Sequence, residues 1–133
     1  MKRNYFYLIV GVLCVLFAIT HTWNGLGTVL SDLNHSNLDD NARTVFTYIW
    51  HMIGAENLVF GIALIVMAFQ KNMEKVKAAA WIIASLLLAR WGTLTLVTVL
   101  NAESNITVLL VDTVAMFTLV TLLVLGTRVK SST

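Results

Sequence analysis

The sequence predicts an all-α integral membrane protein: a four-helix transmembrane bundle with both termini cytoplasmic. Three observations carry this. Hydrophobic residues make up 58% of the 133 residues and charged residues only 12%, whereas roughly a quarter of a soluble domain is charged. Four apolar stretches each hold about 20 residues, enough to cross a hydrocarbon core of about 30 Å. The basic residues are divided unevenly between the links that join these stretches, which sets orientation. A chain of this length is expected to form one domain, and the absence of proline suits uninterrupted helices.

Segment one runs from about Tyr5 to Gly25, segment two from Val45 to Phe69, segment three from Ala78 to Leu100 and segment four from Ile106 to Gly126. Their hydrophobicity continues round every face, unlike that of a soluble amphipathic helix. In lipid the backbone must satisfy its own hydrogen bonds, so helix is the state expected for each. Lys2 and Arg3 ahead of segment one look like the start of a signal peptide. The end of the run, Ala18-Ile19-Thr20-His21, lacks a small-x-small cleavage site, and segment one is expected to be retained.

Lys2 and Arg3, then Lys71, Lys75 and Lys77, then Arg128 and Lys130 all fall on one side of this topology. The other side has Arg43 among Asp32, Asp39, Asp40 and Glu103. The positive side is cytoplasmic. Residues 70–77 and 101–105 form short links, which make consecutive helices antiparallel neighbours. The long outer link is 26–42. Within it, Leu26, Val29, Leu30 and Leu33 follow an i, i+3, i+4, i+7 pattern, which suggests a short helix on the membrane surface. Asn34 to Asn41 reads as a polar loop. Two glycosylation-type sequons, Asn34-His35-Ser36 and Asn105-Ile106-Thr107, fall on the outer side, a pattern common by chance.

Glu56, Arg90 and Asp112 each lie inside a different apolar segment. A charge at membrane depth costs roughly 2.5–3.5 kcal/mol on the mildest scale, so such a residue needs a partner, water or a task. Counting along the helices puts Glu56 and Arg90 near the midplane, with His51 and Asp112 about two turns from the outer face. The ionisable groups therefore gather at the middle and in the outer half. This predicts an outward-facing polar pocket with Glu56, Arg90 and Asp112 as its floor, Arg90 pairing with Glu56 first, and His51, Asn57 and Trp91 beside them. The plain alternative is a buried ion network that fixes helix register.

His21 and His51, on neighbouring segments in the outer half, could ligate a b-type haem or, with Glu56 or Asp112, a zinc ion. Otherwise they are interfacial histidines near water. No metal site is expected: HExxH is absent, and His51 and Glu56 lie about 140° apart round a helix. Gly54, Gly61 and Ala68 on segment two, and Ser85, Ala89 and Gly92 on segment three, mark close-packing seams. Trp23, Trp50 and Trp81, with Tyr5, Tyr7 and Tyr48, read as interface anchors near segment ends. Cys14, the single cysteine, forms no internal disulfide and reads as a small buried apolar residue.

The four short helices, the long first outer link, the run Glu56-Asn57-Leu58-Val59-Phe60-Gly61 in segment two and the arginine in segment three resemble the DoxX-like small membrane proteins, including bacterial families of unknown function. As topology the resemblance covers most of the chain. It implies a multi-pass bundle of the bacterial inner (plasma) membrane, sometimes an accessory to redox or stress systems, and it supplies no catalytic residues. A small multidrug antiporter would carry its key glutamate in the first helix, and here it is in the second.

The net charge of +2 gives no reason to expect a nucleic-acid partner. No nucleophile sits with a base and no phosphate loop is present, so the leading expectation is a non-enzymatic protein without a cofactor. It would lie in the lipid bilayer and take a small or lipid-like ligand in its polar pocket. A second reading is an interaction subunit that pairs with a membrane protein or with its own copies. A third is the haem protein using His21 and His51.

Overall fold

The computed structural model describes residues 3–100 and 106–129. Lys2, Glu103, Asn105 and Lys130, and with them the 101–105 link, lie outside the described residues. The described chain is helical and holds no strand. Helix α1 spans Tyr5–Asn24, a π-helical turn spans Gly25–Val29, and α2 spans Leu30–Asn34. Helices α3 (Asp40–Ala68), α4 (Glu74–Leu100) and α5 (Ile106–Thr127) follow. Four helices are long and apolar enough to cross a membrane, the first counted from Tyr5 through to Asn34. Large apolar side chains stand exposed along them, for example Val99 (70%), Val114 (69%) and Leu110 (61%). Water would not tolerate so much contiguous apolar surface, and a bilayer would cover it.

Two helix starts are set by side chains on the preceding residue. Asn4 caps α1: its Oδ1 accepts from the Tyr7 amide at 3.3 Å, and its carbonyl accepts from Leu8 at 3.1 Å. Asp39 caps α3 in the same way, with Oδ1 accepting from Ala42 N at 2.9 Å. These are the amides that have no intrahelical acceptor. Helix α3 therefore begins at Asp40, five residues before the apolar run that marks segment two. At the head of α4, Asn72 Oδ1 accepts from Glu74 N at 3.1 Å.

The largest departure from expectation is the outer link. No separate surface helix interrupts it. Helix α1 passes through the π-helical turn directly into α2, with Asn24, Val29 and Leu30 all in right-handed helical conformation. Leu30 N closes a wide turn on the Gly25 carbonyl. The apolar spacing of Leu26, Val29, Leu30 and Leu33 is thus the continuation of α1, with Leu30 and Leu33 buried. The non-helical link shrinks to residues 35–39. His35 ends the helix by donating Nδ1–H to the Ser31 carbonyl at 2.7 Å, which satisfies one of the last carbonyls.

The chain divides into two compact units. One holds residues 11–65: most of α1, the π-turn, α2 and most of α3. Here α1 and α3 meet backbone to backbone. A Cβ on Gly11 would lie 2.8 Å from the Gly61 carbonyl oxygen, and a Cβ on Gly61 would lie 2.8 Å from that of Gly11. Gly54 lies against Thr22, whose Oγ1 would be 3.0 Å from an added Cβ. Cys14, Ala18, Phe60 and Leu64 are buried in this unit. The glycine seam read from segment two is therefore real packing, and Gly11 is the partner that completes it.

The other unit holds residues 1–10 and 66–133. Its buried apolar residues include Val10, Met67, Ala80, Ile83, Ala84, Leu87, Leu119 and Leu123. Asn4, 1% exposed, ties four chain segments together. Its amide N donates to the Ala68 carbonyl at 3.0 Å, and its Nδ2 donates to the Gly126 carbonyl at 2.9 Å and reaches Met73 Sδ at 3.7 Å. Tyr7, expected at the interface, is 1% exposed and packs where Gly126 leaves room for its ring. The seam expected on segment three is not used inside this unit. Ser85 and Ala89 are exposed, and a Cβ on Gly92 would meet nothing within 4 Å. The packed face of α4 is the Ala80–Ile83–Ala84–Leu87 face, because its larger side chains remove more apolar area.

Candidate functional site

In the unit of residues 11–65, six residues of α3 form one stripe: Thr44, Thr47, Tyr48, His51, Met52 and Ala55. Their i, i+3, i+4 spacing places them on a common helical face. With Asn34 from the end of α2 and with Arg43 they line an open groove of about 620 Å³. At 1.5 Å per residue the stretch from Arg43 to Ala55 is about 18 Å long. Its character changes along that length. Asn34, Arg43, Thr44 and Thr47 line one end, Tyr48 and His51 the middle, and Met52 and Ala55 the other end.

The polar groups are only partly available. Thr44 Oγ1 donates to the Asp40 carbonyl at 2.8 Å, and Thr47 Oγ1 donates to the Arg43 carbonyl at 2.9 Å. Both hydroxyl protons are engaged by the helix, so these side chains present lone pairs. Arg43 is turned to the 35–39 link. Its Nη2 donates to the Leu38 carbonyl at 3.0 Å and to that of Ser36 at 3.4 Å, and Nη1 lies 3.5 Å from Asp40 Oδ1. Its Nε is buried without a hydrogen-bond partner among the described residues. The guanidinium thus fastens the link to α3 and neutralises one carboxylate. Tyr48 and His51 are exposed.

Beside the groove, α1 and α3 are locked through His21 and Trp50. The two rings stack with centroids 4.2 Å apart and planes 12° from parallel. Trp50 Nε1 donates to the His21 carbonyl at 3.2 Å, and His21 Nε2 lies 3.2 Å from the Trp50 carbonyl. A carbonyl only accepts, so this contact assigns the proton to Nε2. A Cβ on Gly25 would overlap the Trp50 indole, so glycine is required at the start of the π-turn for the ring to enter. Trp50, expected as an interface anchor, is instead a half-buried wedge.

The residues singled out by sequence are distributed as follows. His51 lines the groove. Glu56 and Asn57 follow Ala55 on α3, Glu56 half-buried and Asn57 6% exposed. Arg90 on α4 and Asp112 on α5 are half-buried and belong to the other unit. Trp91 does not line the groove. Its Nε1 donates to Thr113 Oγ1 at 3.0 Å and its ring meets Phe117 edge-on at 5.0 Å, which places it in packing between α4 and α5. The imidazoles considered for haem have different surroundings: His21 faces Trp50, while His51 faces the groove. Among the described residues, no three His, Cys, Asp or Glu side chains are grouped to hold a metal ion.

Formal charge in the apolar segments does not point to Asn34, Arg43, Thr44, Thr47, Tyr48, Met52 or Ala55. A different signal does: Thr44, Thr47, Tyr48 and His51 make a polar stripe at helical spacing on an otherwise apolar helix. Comparison with protein-family models, curated proteins and solved structures returned no match.

Proposed function

We propose that this chain is a small, non-enzymatic membrane protein that holds an amphipathic, lipid-like ligand in the α3 groove. The observation that carries this is the gradient along the groove, from hydroxyl, amide and guanidinium at Asn34–Thr47 to thioether and methyl at Met52–Ala55. An amphiphile laid along it matches polar head to polar end and chain to apolar end, leaving few polar groups desolvated without a partner. Lys71, Lys75, Lys77 and Arg128 support an orientation with both termini cytoplasmic. That orientation puts the groove in the outer half of the bilayer.

Equilibrium binding of a fluorescent single-chain amphiphile to the protein in nanodiscs tests this. Ala55→Trp, which fills the apolar end from an exposed position, is expected to remove saturable binding while leaving thermal stability unchanged. Saturable binding that persists in this variant contradicts the proposal. One observation favours the second reading, an interaction subunit: the small face Ser85–Ala89–Gly92, with Ser85 and Ala89 exposed and open space where a Gly92 Cβ would stand, would let another helix approach closely. Cross-linking at that face, with loss of the cross-link in Gly92→Leu, tests it.

A further inference from the structure

We infer that the unit of residues 1–10 and 66–133 binds the headgroup of an anionic phospholipid at the end where α1 and α4 begin and α3 and α5 finish. The inference needs the chain to cross a bilayer but not the α3 groove, which is lined from the other unit. In sequence this end carries Lys2, Arg3, Lys71, Lys75, Lys77, Arg128 and Lys130 against one acid, Glu74. Lys77 is already answered: its Nζ lies 2.6 Å from Glu74 Oε1. Arg3, Lys71, Lys75 and Arg128 are exposed, and none of them forms an ion pair among the described residues.

These four cations are gathered by the Asn4 staple. Asn4 holds the Ala68 and Gly126 carbonyls and Met73 Sδ. Arg3 precedes it, Lys71 is three residues past Ala68, Lys75 two past Met73 and Arg128 two past Gly126. Each cation is thus at most about 11 Å of chain from a group that Asn4 fixes. The Arg3 guanidinium is held in turn 5.2 Å from the centre of the Phe69 ring, at the border of the apolar span. Helix ends stand at headgroup depth in a bilayer, where phosphate is the abundant anion. Clustered Lys and Arg at that depth attract anionic lipids, and a phosphate accepts charge-assisted hydrogen bonds from both. A zwitterionic headgroup brings its own ammonium to compete for that phosphate. One to two turns deeper, Ile9, Trp81 and Ile82 are exposed apolar side chains against which the acyl chains can lie.

The test offers the whole protein equal amounts of phosphatidylglycerol and phosphatidylcholine with identical chains, in neutral detergent, and counts the lipids retained by native mass spectrometry. Phosphatidylglycerol is expected to be retained preferentially. Lys71→Gln combined with Lys75→Gln is expected to lower that preference about five-fold per charge removed, with unchanged melting as the folding control. Asn37→Asp shifts net charge by one in the 35–39 link, away from these cations, and is expected to leave the preference as it is. Equal retention of the two lipids overturns the inference, and so does a preference that survives the double substitution. An equal fall in Asn37→Asp shows net charge alone at work and overturns the site. Glycerol phosphate at the lipid's concentration is expected not to compete; displacement by it assigns the cations to a free anion and overturns the lipid.

Discussion

His21 and Trp50 hold each other by two hydrogen bonds and a ring stack. Each ring nitrogen lies 3.2 Å from the other residue's backbone carbonyl, and the centroids are 4.2 Å apart. This crossed arrangement joins α1 to α3 next to the π-turn. It also fixes the half of α3 from which His51 and Met52 reach the groove.

The lock makes a quantitative demand. Trp50→Phe keeps an aromatic ring but removes the indole donor, and is expected to cost about 0.5–1.5 kcal/mol. A double-mutant cycle of Trp50→Ala with His21→Ala should return a coupling of about 0.5–1.5 kcal/mol for the ring pair. Thermal denaturation in detergent measures both, and additive losses would show that the contact carries no energy of its own.

Two glycines should respond in opposite directions. Gly61→Ala puts a methyl 2.8 Å from the Gly11 carbonyl and is expected to destabilise by about 1–3 kcal/mol. Gly92→Ala meets open space and, as a helix-interior replacement, is expected to stabilise by about 0.5–1 kcal/mol. Melting temperatures of the two variants in one detergent check the contrast.

The Asn4 staple and its neighbour Tyr7 give a similar pair. Asn4→Ala removes the shorter of two hydrogen bonds to the Gly126 carbonyl, which keeps the Val129 amide at 3.3 Å, and removes the α1 cap, at an expected cost of about 1–3 kcal/mol. The Tyr7 hydroxyl is buried without a partner among the described residues. Tyr7→Phe is therefore expected to be neutral or stabilising, since a desolvated hydroxyl is removed and no hydrogen bond is lost. Chemical denaturation distinguishes these outcomes.

The purified protein is expected to be colourless. His21 Nε2 is engaged with Trp50, and binding haem through that nitrogen would break the contact. An absorption spectrum after expression with added haem checks this, and a stoichiometric Soret band that disappears in His51→Ala would contradict it.

The membrane-crossing helices are legible in the sequence because their signal is large and local: an apolar run of about 20 residues matches the thickness of a bilayer and little else. The Gly54–Gly61 seam is legible for the same reason, as a repeat on one helix. Its partner Gly11 is not, because nothing in the sequence fixes which helix, at which height, faces a given glycine. Nothing in the sequence singles out Asn4, which is buried by contacts with residues up to 122 positions away. Trp50 and Tyr7 have the residue type and the place of interface anchors, whereas a glycine opposite each, Gly25 and Gly126, makes room for the ring. The groove is harder to read because formal charges deep in the apolar segments are the stronger signal and lie elsewhere. Its lining is uncharged apart from Arg43 and is recognisable only as a stripe at helical spacing.

Photolabelling tests the groove most directly. A single-chain amphiphile with a diazirine near the chain end, bound to the protein in nanodiscs and mapped by peptide mass spectrometry, is expected to mark Met52 and Ala55 on α3. That labelling should be competed by excess unlabelled amphiphile. Labelling spread evenly over exposed apolar positions such as Val97, Leu110 and Val114, and insensitive to competitor, would show that the chain merely sits in lipid and that the groove holds nothing.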